Sequence, residues 1–455
     1  MRAAQAEART LTKEKSTNMK VAVIGTGHVG LITSATMAYL GHDVIGNDLD
    51  EEKILMLQRG QAPFFEPGLT ELLEETLGSG KLKFSFDSQE AIRDADVVFI
   101  CVGTPPKASG EANLIAVESA AKDVARYARG SVVVVEKSTV PAGTSARVRR
   151  TLERERPDFI DKFSVVSNPE FLREGSGVRD SLEPDRILVG AESPEAFEVM
   201  REIYAPLIDK GAKLVETNIE TAELSKHACN AFLALKISYM NALARLCERS
   251  GGDVDSVAEV MGSDERIGRA FLNAGLGYGG YCFPKDLQAF ERLASRLGYD
   301  FGLLKEVERI NDEAVDATAD KIIDVLWNLD GKRVTLLGLS FKPDTDDVRF
   351  APALALGRKL QAEGATVVGF DPQAMANAKS ELPGLEVASD PYTAAAGSHC
   401  LVLCTEWAEF KTLDLDRLKQ AMAYPLVVDG RNMFEPEEME RLGFSYYPTG
   451  RSPIA

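Results

Sequence analysis

The chain has 455 residues, of which 45% are hydrophobic and 27% charged; that is room for two or three domains at roughly 100–200 residues each, with the composition of a globular protein. A formal net charge of −18 speaks against nucleic acid or an anionic membrane as partner, so any basic group that holds a phosphate must be a local exception to the global field. No apolar run approaches the ~20 residues that span a bilayer, and the six cysteines form neither a CxxC pair nor a His/Cys cluster at metal spacing, which predicts a reducing, cytoplasmic setting and no metal site.

Residues 1–18 are polar, lack an apolar h-region and are expected as a disordered tail, with Met19 a candidate for the true start. From there the pattern is strand, Gly-rich turn, helix, strand. Val21–Ile24 is a buried strand leading into Gly25-Thr26-Gly27-His28-Val29-Gly30, and the helix that follows ends at Gly41. The next strand, from Asp43 to Gly46, ends at Asn47-Asp48, and further strands read at 96–102, 131–135 and 163–166. Alternation with helices implies a parallel, doubly wound sheet. A long helix is expected from about Glu220 to Arg249, with capping-box spacing between Thr217 and Glu220 and a stop at Gly251-Gly252. Helices of that length usually link domains and often pack against a second subunit. A second α/β unit begins near Lys332, where Gly364–Asp371 echoes Gly41–Asp48 in register. Its turn, Gly338-Leu339-Ser340-Phe341-Lys342, lacks the GxGxxG pattern and predicts a different ligand. The fold class is α/β: two Rossmann-like doubly wound domains, 19–216 and 326–455, joined by a long central helix in a helical domain over 217–325.

GTGHVG lies between strand and helix, as a dinucleotide fingerprint requires: the glycines permit the tight turn, the approach of a pyrophosphate and close helix packing, and the helix start favours phosphate. Asp48, at the end of the next strand, suits two free ribose hydroxyls and repels a 2′-phosphate, so NAD is favoured over NADP. Thr104 and Thr139 follow strand ends on the same sheet edge and offer hydroxyls there; for Thr104, turn chemistry alone explains the residue equally well.

The stretch Gly275–Asp286 places Cys282 beside Lys285 and Asp286 in a glycine-dense loop without apolar periodicity. Cys101, Cys247, Cys400 and Cys404 read as small buried hydrophobes. A neighbouring ammonium would give Cys282 thiolate character. Lys226 and Asn230 are spaced i,i+4 and share one helical face, a reactive pair or an exposed stripe. His28, His42, His227 and His399 form no acid–base constellation.

Taken together, these stretches resemble the UDP-glucose/GDP-mannose dehydrogenase family over nearly the whole chain from Met19. The likeness runs through GTGHVG, Phe65–Leu69, Asn168–Gly175, Pro184–Arg186, Glu223–Lys226, Asn230–Ala234, the GYGGYCFPKD loop, Phe341–Arg349, Thr405–Trp407 and Asp429–Asn432. Tyr281 stands where the family pattern carries a small residue, usually Ser, and Phe283 after the cysteine resembles the UDP-glucose branch. The resemblance implies oxidation of C6 of a nucleotide sugar, UDP-glucose first, through an aldehyde, a thiohemiacetal and a thioester on Cys282, with two NAD used. It implies Lys226 and Asn230 at the oxyanion, Asp286 and Glu170 as alternative water bases, and Thr139 helping to hold the water. Toward NAD it implies Gly25, Gly27, His28, Val29, Gly30, Asp48, Lys53, Thr104, Thr139, Glu174 and Arg349. Toward the sugar nucleotide it implies Glu170, Phe171, Leu172, Glu174, Lys226, Asn230, Tyr278, Gly279, Lys342 and Arg431, with Arg266 reaching in from a partner subunit. A homodimer or larger homo-oligomer through the central helix and a place in polysaccharide precursor synthesis are further family-level expectations. The alternatives are the same chemistry on GDP-mannose or UDP-N-acetylmannosamine, a one-step NAD hydroxyacid dehydrogenase, and a non-catalytic sugar-nucleotide sensor.

Overall fold

Short runs of Val, Ile and Ala with both faces apolar suit strands covered on both sides, and they build two sheets. The structure, a computed structural model, describes residues 18–454; the expected tail, but for Asn18, lies outside the described residues. The first sheet holds β1 (Lys20–Ile24), β2 (Asp43–Asn47), β3 (Leu82–Ser85), β4 (Val97–Ile100), β5 (Val132–Glu136), β6 (Phe163–Ser167), β7 (Arg186–Ala191) and β8 (Lys213–Thr217). Their spatial order is β3-β2-β1-β4-β5-β6-β7-β8, so the first six follow the Rossmann order. Along β1 the side chains alternate between two cores. Val21 and Val23 enter one with Leu31, Ile32 and Phe99, while Ala22 and Ile24 enter the other with Val98, Val124 and Val134.

The sheet differs from the all-parallel expectation at one place: β7 pairs antiparallel to β6, and β8 then runs parallel to β7. β3, β7 and β8 are strands that alternation alone did not single out. β8 is only half-buried, which leaves little apolar signal.

The second sheet holds β9 (Arg333–Leu337), β10 (Thr366–Phe370), β11 (Glu386–Val387), β12 (Cys400–Leu403), β13 (Leu426–Asp429) and β14 (Ser445–Pro448). Its order, β11-β10-β9-β12-β13-β14, repeats the order of β3-β2-β1-β4-β5-β6, and every pair is parallel. The sequence echo therefore superposes β10 on β2, with Asp371 standing where Asp48 stands.

Five helices position the site: α1 (His28–Tyr39), α2 (Thr144–Glu155), α3 (Ile219–Ser250), α4 (Cys282–Arg296) and α5 (Gly302–Leu326). The long helix α3 has 32 residues, about 48 Å at 1.5 Å per residue, and it packs against α4 and α5. Its cap is Asn218 rather than Thr217: the Asn218 side chain accepts from the Thr221 N–H, and Gly251 at φ +75° closes the other end.

Candidate active site

The first loop of the chain has the shape a dinucleotide needs. Gly25 sits at φ +93°, and a Cβ there would meet the Cys101 carbonyl oxygen at 2.8 Å. A Cβ on Gly30 would fall 1.8 Å from the Gly25 oxygen, whereas one on Gly27 would meet nothing within 4 Å. Two glycines are thus required for packing, and the third leaves open space over the start of α1. Asp48 follows β2. Its Oδ2 accepts from Thr26 N, Thr26 Oγ1 and Lys53 Nζ, each at 2.9 Å. Burial raises the Asp48 pKa, but Lys53 and the backbone N–H groups of Thr26 and Asp50 outweigh it and hold the carboxyl below its ordinary value. Lys53, expected near the cofactor, is paired with Asp48.

His28 lies on Phe64, ring centroids 4.6 Å apart, with Nε2 3.0 Å from Glu66 Oε2. Glu66 in turn accepts from Gly175 N and Gly177 N, both at 2.7 Å. Glu174 stands 3.5 Å from Arg349, whose nearer partner is Asp347 at 2.6 Å. Burial, and then Asp347, push the Glu174 carboxyl up to about 7. Arg349 also covers the Tyr281 ring at 4.4 Å, with Lys285 at 5.5 Å. The one departure from the family pattern thus lies between two cations.

Cys282 does not lie in an irregular loop: it is the first residue of α4, and Lys285 and Asp286 are residues of the same helix. The glycines before it are fixed by close approach. A Cβ on Gly279 would stand 2.3 Å from the Phe350 oxygen, and one on Gly280 would stand 2.6 Å from the Phe341 ring. The polar groups around the thiol form a ring that begins and ends on α3. Asn230 Nδ2 donates to Asp286 Oδ2 at 2.7 Å, and Lys285 Nζ donates to Asp286 Oδ1 at 2.7 Å. Lys285 also donates to Thr104 Oγ1 at 3.4 Å, and that hydroxyl donates to the Thr139 carbonyl at 3.0 Å. Thr139 Oγ1 donates to Glu170 Oε2 at 3.4 Å, and Lys226 Nζ stands 3.2 Å from Glu170 Oε1. Lys226, Asn230, Glu170, Lys285 and Asp286 are all buried, so the alternative of an exposed polar stripe on α3 is excluded.

Lys285 is paired with Asp286, and the thiol is not low. Burial, followed by Asp286, Glu170 and Glu174, pushes the Cys282 thiol up to about 12, with Lys226 opposing them. Lys226 itself is raised: burial disfavours its charge, but Glu170, Cys282 and Asp286 together outweigh that. Asp286 is lowered, since Lys285, His227 and Lys226 overcome its burial.

On the far side of the site, Lys342 leaves the turn after β9, lowered by burial. Arg431 follows β13, donates from Nε to the Cys404 oxygen at 2.7 Å and pairs with Glu406 at 3.2 Å. Phe171 carries Lys226 at 5.2 Å and Arg186 at 3.9 Å from its ring centre, and Leu172 follows it, half-buried. Tyr278 exchanges backbone hydrogen bonds with Asn311, and its buried hydroxyl has no partner among the described residues. Arg266 is not brought to the other site residues of its own chain: its side chain is 88% exposed and pairs with Asp264.

A dinucleotide-type loop with a ribose-ready carboxylate, facing a thiol enclosed by ionised groups, defines an NAD-dependent oxidoreductase. Comparison with known proteins agrees at every level. The NAD binding domain of the UDP-glucose/GDP-mannose dehydrogenase family matches residues 19–208, its central domain residues 220–313 and its UDP binding domain residues 335–436. A UDP-glucose 6-dehydrogenase of Rhizobium meliloti is 46% identical over 437 residues, 95% of this chain and 100% of the relative. A UDP-glucose dehydrogenase structure from Pyrobaculum islandicum superposes with a TM-score of 0.90 at 38% identity, covering 97% of this chain and 100% of that one. A UDP-D-ManNAc dehydrogenase structure from Pyrococcus horikoshii gives 0.83 at 27% identity, covering 96% and 100%. The chain belongs to the UDP-glucose/GDP-mannose dehydrogenase family.

Proposed function

We propose that the protein oxidises the C6 hydroxymethyl group of UDP-glucose to the carboxylate of UDP-glucuronate, with the half-oxidised sugar held on Cys282. The observation that carries this reading is the Cys282 thiol beside a chain of hydrogen-bonded polar and charged groups that begins and ends on α3. NAD, bound at Gly25–Gly30 and Asp48, supplies the hydride acceptor for both oxidations. Cys282 Sγ adds to the aldehyde carbon, and the carbonyl oxygen takes on negative charge as the C–S bond forms. Lys226 meets that charge, as does Asn230 through the amide N–H that Asp286 does not use. The raised thiol pKa makes ionisation a coupled event: as the C–S bond forms, the Sγ proton is given up and the former carbonyl oxygen beside Lys226 ends protonated as the thiohemiacetal hydroxyl.

Water then cleaves the thioester. Both Asp286 oxygens accept strong hydrogen bonds and its pKa is lowered, so it orders Lys285 and Asn230. Glu170, held by Thr139 Oγ1, is the base that takes the proton from water. Lys342 and Arg431 meet the diphosphate side of the substrate; Phe171, Leu172, Tyr278, Gly279 and Glu174 line its path. Glu174 and Arg349 also border the cofactor.

Phe283, and the likeness to the UDP-glucose 6-dehydrogenase of Rhizobium meliloti, support UDP-glucose over GDP-mannose and UDP-N-acetylmannosamine. The protein acts as a homodimer through α3, on which Leu224, Phe232, Tyr239 and Leu246 are exposed within one arc. Arg266 then serves the partner's site. No helix among the described residues is long and apolar enough to cross a membrane, and six free cysteines fit a reducing cytoplasm.

Counting NADH against product tests the proposal: two NADH per UDP-glucuronate are expected, and one per sugar oxidised overturns it. Side-by-side assays of the three nucleotide sugars test the substrate, and faster turnover of either rival overturns that assignment.

A further inference from the structure

Four polar residues of α3 fall at i, i+3, i+4 and i+7: Glu223, Lys226, His227 and Asn230, all buried. That spacing is one helical face. Lys226 and Asn230 belong to the ring around Cys282. The other two turn toward the segment between β5 and α2 that carries Thr139. Glu223 Oε2 accepts from Gly143 N at 2.6 Å, and its Oε1 accepts from Ser145 N and Ser145 Oγ, both at 2.7 Å. The carboxylate therefore caps α2, whose own N-cap is Gly143 and makes no side-chain cap. His227 Nε2 lies 3.0 Å from the Val140 oxygen. A carbonyl only accepts, so Nε2 carries the proton. The ring also stacks on Phe290.

We infer that Glu223 and His227 are positioning residues that clamp the Val140–Ser145 segment to α3 and so fix Thr139 against Glu170. The clamp begins at the residue next to the one it serves and holds the segment that follows it. Val140, the neighbour of Thr139, is gripped by His227, and the segment's far end at Gly143 and Ser145 is gripped by Glu223. Both grips come from the helix that carries Lys226, so Thr139 and Lys226 approach the two oxygens of Glu170 from one rigid body. Gln at 223 keeps the size but has one acceptor oxygen for donors that reach two, so Gly143 N or Ser145 N is left facing an NH₂ group. Phe at 227 keeps the stack on Phe290 and loses the donor to Val140.

The inference rests on the proposed role of Thr139 and Glu170 in thioester hydrolysis, and the test separates the two. Full-length wild type, Glu223→Gln, His227→Phe and the donor-retaining His227→Gln are compared for melting temperature, NAD affinity, KM, kcat and mass of the Cys282 adduct. We expect E223Q and H227F to bind NAD within about twofold of wild type, to keep KM for UDP-glucose within about threefold, and to lose about tenfold or more in kcat. Displacements near 1 Å at a reacting group have effects of that size or larger. The acylated Cys282 peptide should accumulate in both variants, and H227Q should recover most of the kcat. The clamp is overturned if kcat stays within about twofold of wild type in both variants. It is also overturned if NAD affinity and melting temperature fall in step with kcat and H227Q recovers nothing, the pattern of a purely structural contact. If E223Q fails to fold, the H227F and H227Q pair decides alone. A wild type giving one NADH per sugar sinks the proposed function instead, while the kcat comparison still reads the clamp.

Discussion

At the scale of single residues, Cys282 and Asp48 make opposite demands on their surroundings. The thiol is held up to about 12 by burial and by Asp286, Glu170 and Glu174, so the free enzyme keeps it protonated. Below its pKa, the thiolate fraction of a cysteine grows tenfold per pH unit, and alkylation follows the thiolate. Iodoacetamide labelling of the Cys282 peptide should therefore rise about tenfold per unit from pH 7 to 9; a plateau near pH 7 would contradict this electrostatic account. Cys282→Ala should form no carboxylate at all. Asp48 is instead held ionised, ready to accept. Asp48→Ala should weaken NAD binding by about 1–3 kcal/mol, the cost of unpaired ribose hydroxyls. It should also improve NADP relative to NAD, because Lys53 loses its partner and becomes free for a 2′-phosphate. Titration of both cofactors checks this, and an unchanged preference would remove Asp48 from the ribose.

Among the elements, β5 ends in a group with a clear cost. Glu136 is buried, one oxygen accepts from Ser138 N, and the other has no partner among the described residues. Burial pushes its carboxyl up to about 8 from an ordinary 4.5. A folded-state pKa above the unfolded one means that the folded chain binds the extra proton. The stability it contributes is complete below pH 4.5 and is lost as pH rises toward 8, at up to about 1.4 kcal/mol per unit. Glu136→Gln should flatten the fall in denaturation free energy between about pH 5 and 8; parallel curves for the two proteins would sink the assignment. The elements that follow from residue pattern were legible in the sequence: β1, β2, β10, the glycine loop and the length of α3. What stayed hidden had long-range causes. The antiparallel β7 depends on its partner and not on its own residues. The start of α4 at Cys282 was masked by the glycines before it. The attachment of Lys285 to Thr104 joins positions 181 residues apart, which no local spacing reveals. Glu223 and His227 were not grouped with Lys226 and Asn230, because their purpose is supplied by a neighbouring segment distant in sequence.

For the whole molecule, the exposed apolar arc of α3 and the repeat of the Rossmann order are the governing features. Phe232 is 61% exposed at the middle of that arc. Phe232→Arg should convert a dimer into monomers by light scattering and lower activity through loss of the partner's Arg266; an unchanged mass would move the interface elsewhere. The repeat sets Asp48 beside its counterpart, Asp371. Asp48 keeps lone pairs within reach of solvent, whereas Asp371 is fully buried and accepts six bonds, from Leu339 N, Ser340 N, Ser340 Oγ and Trp407 Nε1 on one oxygen and from Gln373 N and Ala374 N on the other. In one half of the protein the position is a socket, and in the other the socket has been filled from within and made into a keystone. Restoring glycines to the second turn would not give that half a dinucleotide, because its carboxylate has nothing left to lend. Damage there reads out as lost folding where damage at Asp48 reads out as lost affinity, so the duplicated fold divides one inherited carboxylate between recognition and construction.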